Sequence, residues 1–200
     1  MIFEGLREEM EQIDRDARIP KWVWFAVAGL VAVMTISIAA WAQEPAAMPI
    51  IPDNAITPGV VASTNETEVC GRTASGQTYS QAHRKTTMEM KHEAFERYGI
   101  PYPPASERSK WEIDHRLELS LGGADDIRNL WPQPSLKLGV QWGREQKDKL
   151  ELLAWERVCK FHNMSLADAQ KLFIAPADWR VAYCGMIGGS PCSVLAKQSE

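Results

Sequence analysis

The chain has 200 residues, 22 basic against 26 acidic side chains for a formal net charge of −4, and 45% hydrophobic residues. That length allows one domain plus a targeting or anchoring segment, and the absence of an internal repeat excludes a solenoid. The acidic balance excludes a protein that holds nucleic acid by bulk positive charge; any such binding must come from a local patch.

Residues 22–42 contain no charge and no proline. A helix of about 20 such residues spans the hydrocarbon core of a bilayer. Arg15, Arg18 and Lys21 precede this run, and no Lys or Arg follows before Arg72. The positive-inside rule then keeps residues 1–21 in the cytoplasm and exports the rest. Trp22, Trp24 and Trp41 lie near its two ends, as interfacial anchors do. Ala40-Trp41-Ala42 before Gln43 offers the alternative of a cleaved signal peptide and a secreted chain. The run exceeds a usual signal-peptide core, and the segment before it is long and partly acidic (Glu4, Glu8, Glu9, Glu11, Asp14, Asp16), which favours an uncleaved single-pass anchor. Without the four basic and six acidic residues of the first 42, 18 basic and 20 acidic residues remain, a net of −2. Residues 43–67 show neither helical nor strand period and read as a tether, leaving 68–200 as the domain.

Between Arg72 and Lys91 the balance is locally basic, with Arg84 and Lys85 opposed only by Glu89, so Arg84 and Lys85 are candidate phosphate contacts. Ser80 can cap a helix running to Tyr98, with Gly99 as its stop and Met88, Ala94, Phe95 and Tyr98 facing the core. His83 and His92 on it have no partner at ligand spacing and are read as solvated or hydrogen-bonded. Pro101, Pro103 and Pro104 break the chain next.

Residues 111–115 read as a short strand ending in Ile113-Asp114-His115. Leu121-Gly122-Gly123 follows, then Asn129-Leu130-Trp131 as a returning strand that Pro132 and Pro134 stop. A carboxylate can hold a divalent cation while the imidazole beside it takes a proton from water. The glycine pair lets the loop fold back and bring Asn129 near His115, where its amide would fix the ring. A helix from Val140 to Cys159 buries Leu150, Leu153, Ala154 and Val158; Glu145 and Asp148, three apart, can reach one cation, and Arg144 and Lys147 can add phosphate contacts. Ser165-x-x-Asp168 opens a further helix that Pro176 ends, Trp179 and Tyr183 cover the core, and His162 is an exposed loop residue. Cys70, Cys159, Cys184 and Cys192 all fall in the exported part without a C-x-x-C pair, which argues for disulfides over a structural zinc site. Of the 3 connectivities open to four cysteines, Cys184–Cys192 across Gly188-Gly189-Ser190-Pro191 with Cys70–Cys159 is the one expected.

Trp111-Glu112-Ile113-Asp114-His115, Leu119-Ser120-Leu121-Gly122-Gly123, Asn129-Leu130-Trp131-Pro132-Gln133 and Lys147-Asp148-Lys149-Leu150-Glu151 together resemble the HNH endonuclease family, in its small bacterial branch. The resemblance implies an α+β fold with a ββα-metal (His-Me finger) core wrapped by helices, here behind a transmembrane helix. It makes His115 the general base, Asp114 a metal ligand and Asn129 the residue that orients the base. Three departures stand out: Glu118 replaces a frequent proline, Ser120 a glutamate, and Glu145 the final histidine ligand. Glu145 with Asp148 then points to Mg²⁺ or Mn²⁺ as the cofactor. The implied activity is metal-dependent hydrolysis of phosphodiester bonds, in DNA more than RNA, on the outer face of the cytoplasmic membrane and without a small-molecule cofactor. The alternative is a membrane-tethered binding module that kept the fold and lost catalysis.

Overall fold

A computed structural model of the chain describes residues 48–197; the expected membrane segment 22–42 and its cytoplasmic flank 1–21 lie outside them. Helices and one two-stranded sheet make the described part α+β, as expected. No helix among the described residues is long and apolar enough to cross a membrane.

Strand β1 (Trp111–His115) pairs antiparallel with β2 (Leu130–Pro134), placing Asp114 opposite Trp131 and His115 opposite Leu130. The returning strand does not stop at Pro132 but runs through it to Pro134. Arg116 N donates to Asn129 O at 2.6 Å at one end of the ladder, and Ser135 N donates to Lys110 O at 2.8 Å at the other. Hydrogen-bonded pairs therefore fall on odd-numbered β2 residues. Both prolines occupy positions whose missing N–H would point away from β1, so neither interrupts the ladder.

The helix expected over 80–98 is broken into α2 (Tyr79–His83) and α3 (Met88–Arg97), after a short α1 (Glu66–Cys70). Thr78 opens α2 through a capping box with Gln81, and the Thr87 hydroxyl accepts from Met90 N at 3.2 Å to start α3. Between them the Lys85 amide and the Thr86 hydroxyl both bond Asp125. Those bonds and a fresh N-cap outweigh the continuity of the helix, and β-branched Thr86 and Thr87 give that continuity little support. Ala94 and Phe95 form the buried face of α3, while Met88, expected there, is 53% exposed.

Helix α4 (Arg144–Cys159) starts after Gly143, four residues later than expected, and buries Leu150, Ala154 and Val158. These pack with Leu166 of α5 (Leu166–Lys171), with Phe173, and with Trp179 and Tyr183 of α6 (Trp179–Met186). Trp142 meets Trp179 and Tyr183 edge to face at 5.7 and 5.6 Å between centroids, the arrangement that ring quadrupoles favour. Ser165 caps α5 by accepting from Asp168 N at 3.1 Å, although that helix ends at Lys171, before Pro176. The two disulfides are those expected. Cys70–Cys159 ties the end of α1 to the end of α4, and Cys184–Cys192 joins α6 to α7 (Cys192–Lys197).

Residues 48–67, expected as tether, pack on the domain instead. Buried Arg116 donates to Thr57 O at 2.8 Å, Phe173 O at 2.7 Å and Ala177 O at 3.1 Å. Ala62 N and Ser63 N both reach Gly122 O. One guanidinium, with several fixed donors, thus clamps two distant segments against the end of β1.

Candidate metal centre and the adjoining cleft

The loop from β1 to β2 carries the centre, and its path depends on two glycines. Gly122 has φ +80°, and a Cβ there would meet Ser63 O at 2.3 Å. A Cβ on Gly123 would meet Leu117 O at 2.0 Å, so this second glycine serves close approach rather than left-handed backbone. Folded back this way, the loop brings Glu118 and Asp125 to His115.

Asn129 is fully buried and braces the loop from inside. Its Oδ1 accepts from Leu117 N at 2.9 Å, and its Nδ2 donates to Leu117 O at 2.9 Å and Ala124 O at 2.8 Å. With its amide spent on backbone, Asn129 does not hold the imidazole. That contact belongs to Asp125, whose Oδ1 lies 2.8 Å from His115 Nε2. Burial alone would raise the Asp125 carboxyl, but the Thr86 hydroxyl, the Lys85 amide and the His115 ring hold it below the usual carboxylate range. An ionised carboxylate only accepts, so His115 presents Nε2–H to it, and Nδ1 is the ring nitrogen that contact leaves over.

Asp114, His115 and Glu118 each offer a ligand atom, all within 4.8 Å of one another. Asp114 Oδ1 accepts His115 N at 2.8 Å and Oδ2 accepts the Lys147 ammonium at 2.5 Å, which still leaves lone pairs on both oxygens. Glu118 is half-buried, with one oxygen 3.5 Å from Arg84. The two carboxylates are hard oxygen donors that suit a divalent cation, with the imidazole beside them free to act as a base.

The expected second ligand is elsewhere. Glu145 accepts from the Ser135 hydroxyl, and from Leu136 N at 3.0 Å, so it caps the turn Leu136–Leu138. Burial would raise its carboxyl, but these bonds keep it below its ordinary value. Glu118 replaces Glu145 in the cluster. Asp148 stays outside it, open to solvent on one flank. Protein packed on its other flank, with the charges of Asp114 and Glu112, pushes its carboxyl up to about 6 against the pull of Lys147 and Arg144.

Lys147 is not a surface phosphate contact. It is fully buried, and its ammonium bonds Asp114, Glu151 and, at 2.8 Å, His115 O. Burial would lower its pKa, but Asp114 and Glu151 outweigh it and hold the group above its usual value. Burial in turn raises the Glu151 carboxyl, with Lys147 opposing. Arg84 and Arg144 do line an open cleft, of about 390 Å³, together with Lys91, Arg108, Phe95, Tyr102 and Trp111. Its one acid, Glu112, is paired with Arg144 at 2.7 Å. Thr86 and Arg84 belong to both places, lining the cleft while touching Asp125 and Glu118. The Lys85 side chain is exposed and outside that lining.

His83, His92 and His162 stay away from the centre, as expected: His83 bonds Tyr79 O, His92 stacks on Tyr102, and His162 is exposed. Sequence reasoning missed Glu118, noted only as a departure, and Asp125, read as a loop residue. Each is an acid within ten residues of the Asp-His pair, on the same glycine loop, and that proximity was the available signal. No protein-family model matches the chain, nor does any curated protein or solved structure.

Proposed function

We propose that the chain is a metal-dependent endonuclease of the HNH type that hydrolyses phosphodiester bonds in DNA. The observation that carries this reading is the junction of the Asp114–His115–Glu118 cluster with a basic cleft. The order β1, glycine loop, β2, α4, with the acid–imidazole pair closing β1, agrees with what the family resemblance implies for a ββα-metal core.

Asp114 and Glu118 would hold the cation, Mg²⁺ or Mn²⁺. When bound, it supplies Lewis-acid stabilisation of the charge gathering on phosphoryl oxygens. His115 takes a proton from water at Nδ1, the water oxygen bonds to phosphorus, and the bond to the leaving deoxyribose oxygen breaks as that oxygen takes a proton from solvent. Asp125 holds the ring and stabilises the imidazolium that forms. Arg84 and Arg144 position the flanking phosphates. The two disulfides favour an oxidising compartment, in line with a domain held outside the cytoplasmic membrane by residues 22–42. The alternative, a tethered binding module, draws support from Asp114 being already paired with Lys147 and from the 1% exposure of His115.

Plasmid DNA incubated with the full-length chain in detergent and Mg²⁺ or Mn²⁺ tests the reading. Cleavage is expected with the cation and none with EDTA. His115→Ala should cut roughly 10²–10⁴-fold more slowly while binding DNA equally well. A wild-type chain that binds but never cuts would make the protein the binding module.

A further inference from the structure

The cleft beside the centre holds more than phosphate contacts. His92 stacks on Tyr102 at 3.7 Å between centroids and 18° between planes. The Arg108 guanidinium lies 5.3 Å from the same ring. Phe95 braces both Tyr102 and Trp111 edge to face, at 5.3 and 5.5 Å. Planar groups are thus fixed in a tier before any ligand arrives, so little side-chain entropy remains to be lost on stacking. Lys91 and Arg108 pair with no carboxylate among the described residues, and Glu112 is already neutralised by Arg144. Aromatic faces interleaved with unpaired cations are the chemistry that binds single-stranded nucleic acid, bases on rings and backbone on charges. A volume of about 390 Å³ falls among small-ligand pockets and has room for one unpaired nucleotide.

From this geometry we infer that the cleft is a subsite for an unpaired nucleotide, its base stacking on the Arg108 guanidinium that Tyr102 backs and its phosphates meeting Lys91 and Arg84, so that the protein selects single-stranded DNA. This rests on the nuclease reading for the identity of the polymer. Because Arg84 and Thr86 touch the centre's own acids, a base seated here leads the strand toward His115. Duplex DNA would have to open first, at a cost of unpairing and unstacking.

The test is fluorescence anisotropy with the full-length chain in detergent and EDTA, which stops cleavage. Three labelled probes of equal length are compared: oligo(dT), an abasic strand with the same phosphates, and a duplex. Oligo(dT) should bind tightest, and Tyr102→Leu, which removes the ring that backs Arg108, should weaken it about 5- to 150-fold, the range for losing one base stack. Tyr102→Phe should retain the affinity, and the abasic strand should not respond to either change. Near-ultraviolet circular dichroism checks that each variant is folded. Should Tyr102→Leu lose its fold, the wild-type comparison of oligo(dT) with the abasic strand decides alone. Equal binding of those two strands, or tighter binding of the duplex, overturns the subsite and leaves the nuclease reading standing. Binding of none of the three overturns the subsite, and the plasmid-cleavage assay then decides the nuclease reading.

Discussion

Asp125 and Asn129 share one loop and divide two tasks between them. Asp125 touches the imidazole, whereas Asn129 spends its amide on Leu117 and Ala124. Their substitutions should therefore separate cleanly. Asp125→Asn is expected to slow cleavage by about 10–100-fold, the scale for losing a group that orients a site residue, with a small change in melting temperature. Asn129→Ala leaves buried backbone groups unpaired at about 1–3 kcal/mol each, so it should appear first as a lower melting temperature. Cleavage rates and thermal melts on the two variants check this, and the opposite pattern would return the orienting role to Asn129. The adjacent Asp114 and His115 were legible because neighbours in sequence are neighbours in space. Glu118 and Asp125 were not, because their arrival at His115 depends on Gly123 passing where Leu117 O leaves no room for a Cβ.

Helix α4 supplies charge to the centre from beneath rather than ligands from its surface. Lys147→Met would strand Asp114 and Glu151 as buried carboxylates without their cation. Breaking such a pair costs about 3–5 kcal/mol, and urea unfolding should register it; a near-neutral result would contradict the buried network. Asp148 gives the helix a pH signature. Its folded value of about 6 stands above its ordinary 3.8, so the folded state holds this proton more tightly. The resulting stability is fully present below about pH 3.8 and is lost as the pH rises through 6. Asp148→Asn keeps the uncharged form at every pH. It should melt above the parent at pH 7–8 without divalent cation and match it near pH 3.5, which melts across that range will show. Disulfide Cys70–Cys159 closes 89 residues of chain, so replacing both cysteines by Ser should cost about 2–5 kcal/mol. Helix α4 itself was readable from its apolar spacing. The break between α2 and α3 was not, since it is made by a tertiary bond to Asp125 some 40 residues on.

Taken as a whole, the acidic chain places its charges locally, as the proposed anionic substrate would require. Acids gather at the centre, where a cation would offset them, and four cations line the cleft next to it. Binding of DNA should weaken steeply with salt, in proportion to the few phosphates held. The strand pair and both disulfides were legible in spacing and turn residues, whereas the α+β class was what the family resemblance implied. The packing of residues 48–67 did not, because Arg116 holds it through backbone carbonyls, which carry no sequence signal. A reporter fused after Glu200 that works only when exported should be active, with the full-length chain in the membrane fraction. A soluble chain starting at Gln43 would replace the anchor by a signal peptide. The central claim is that Asp114 and Glu118 hold a divalent cation beside His115, and calorimetric titration of the full-length chain with Mn²⁺ tests it most directly. One Mn²⁺ per chain is expected, with affinity reduced by at least about tenfold in Glu118→Gln and unchanged in Glu145→Gln. Loss of binding in Glu145→Gln with Glu118→Gln unaffected, or no binding at all, would contradict it.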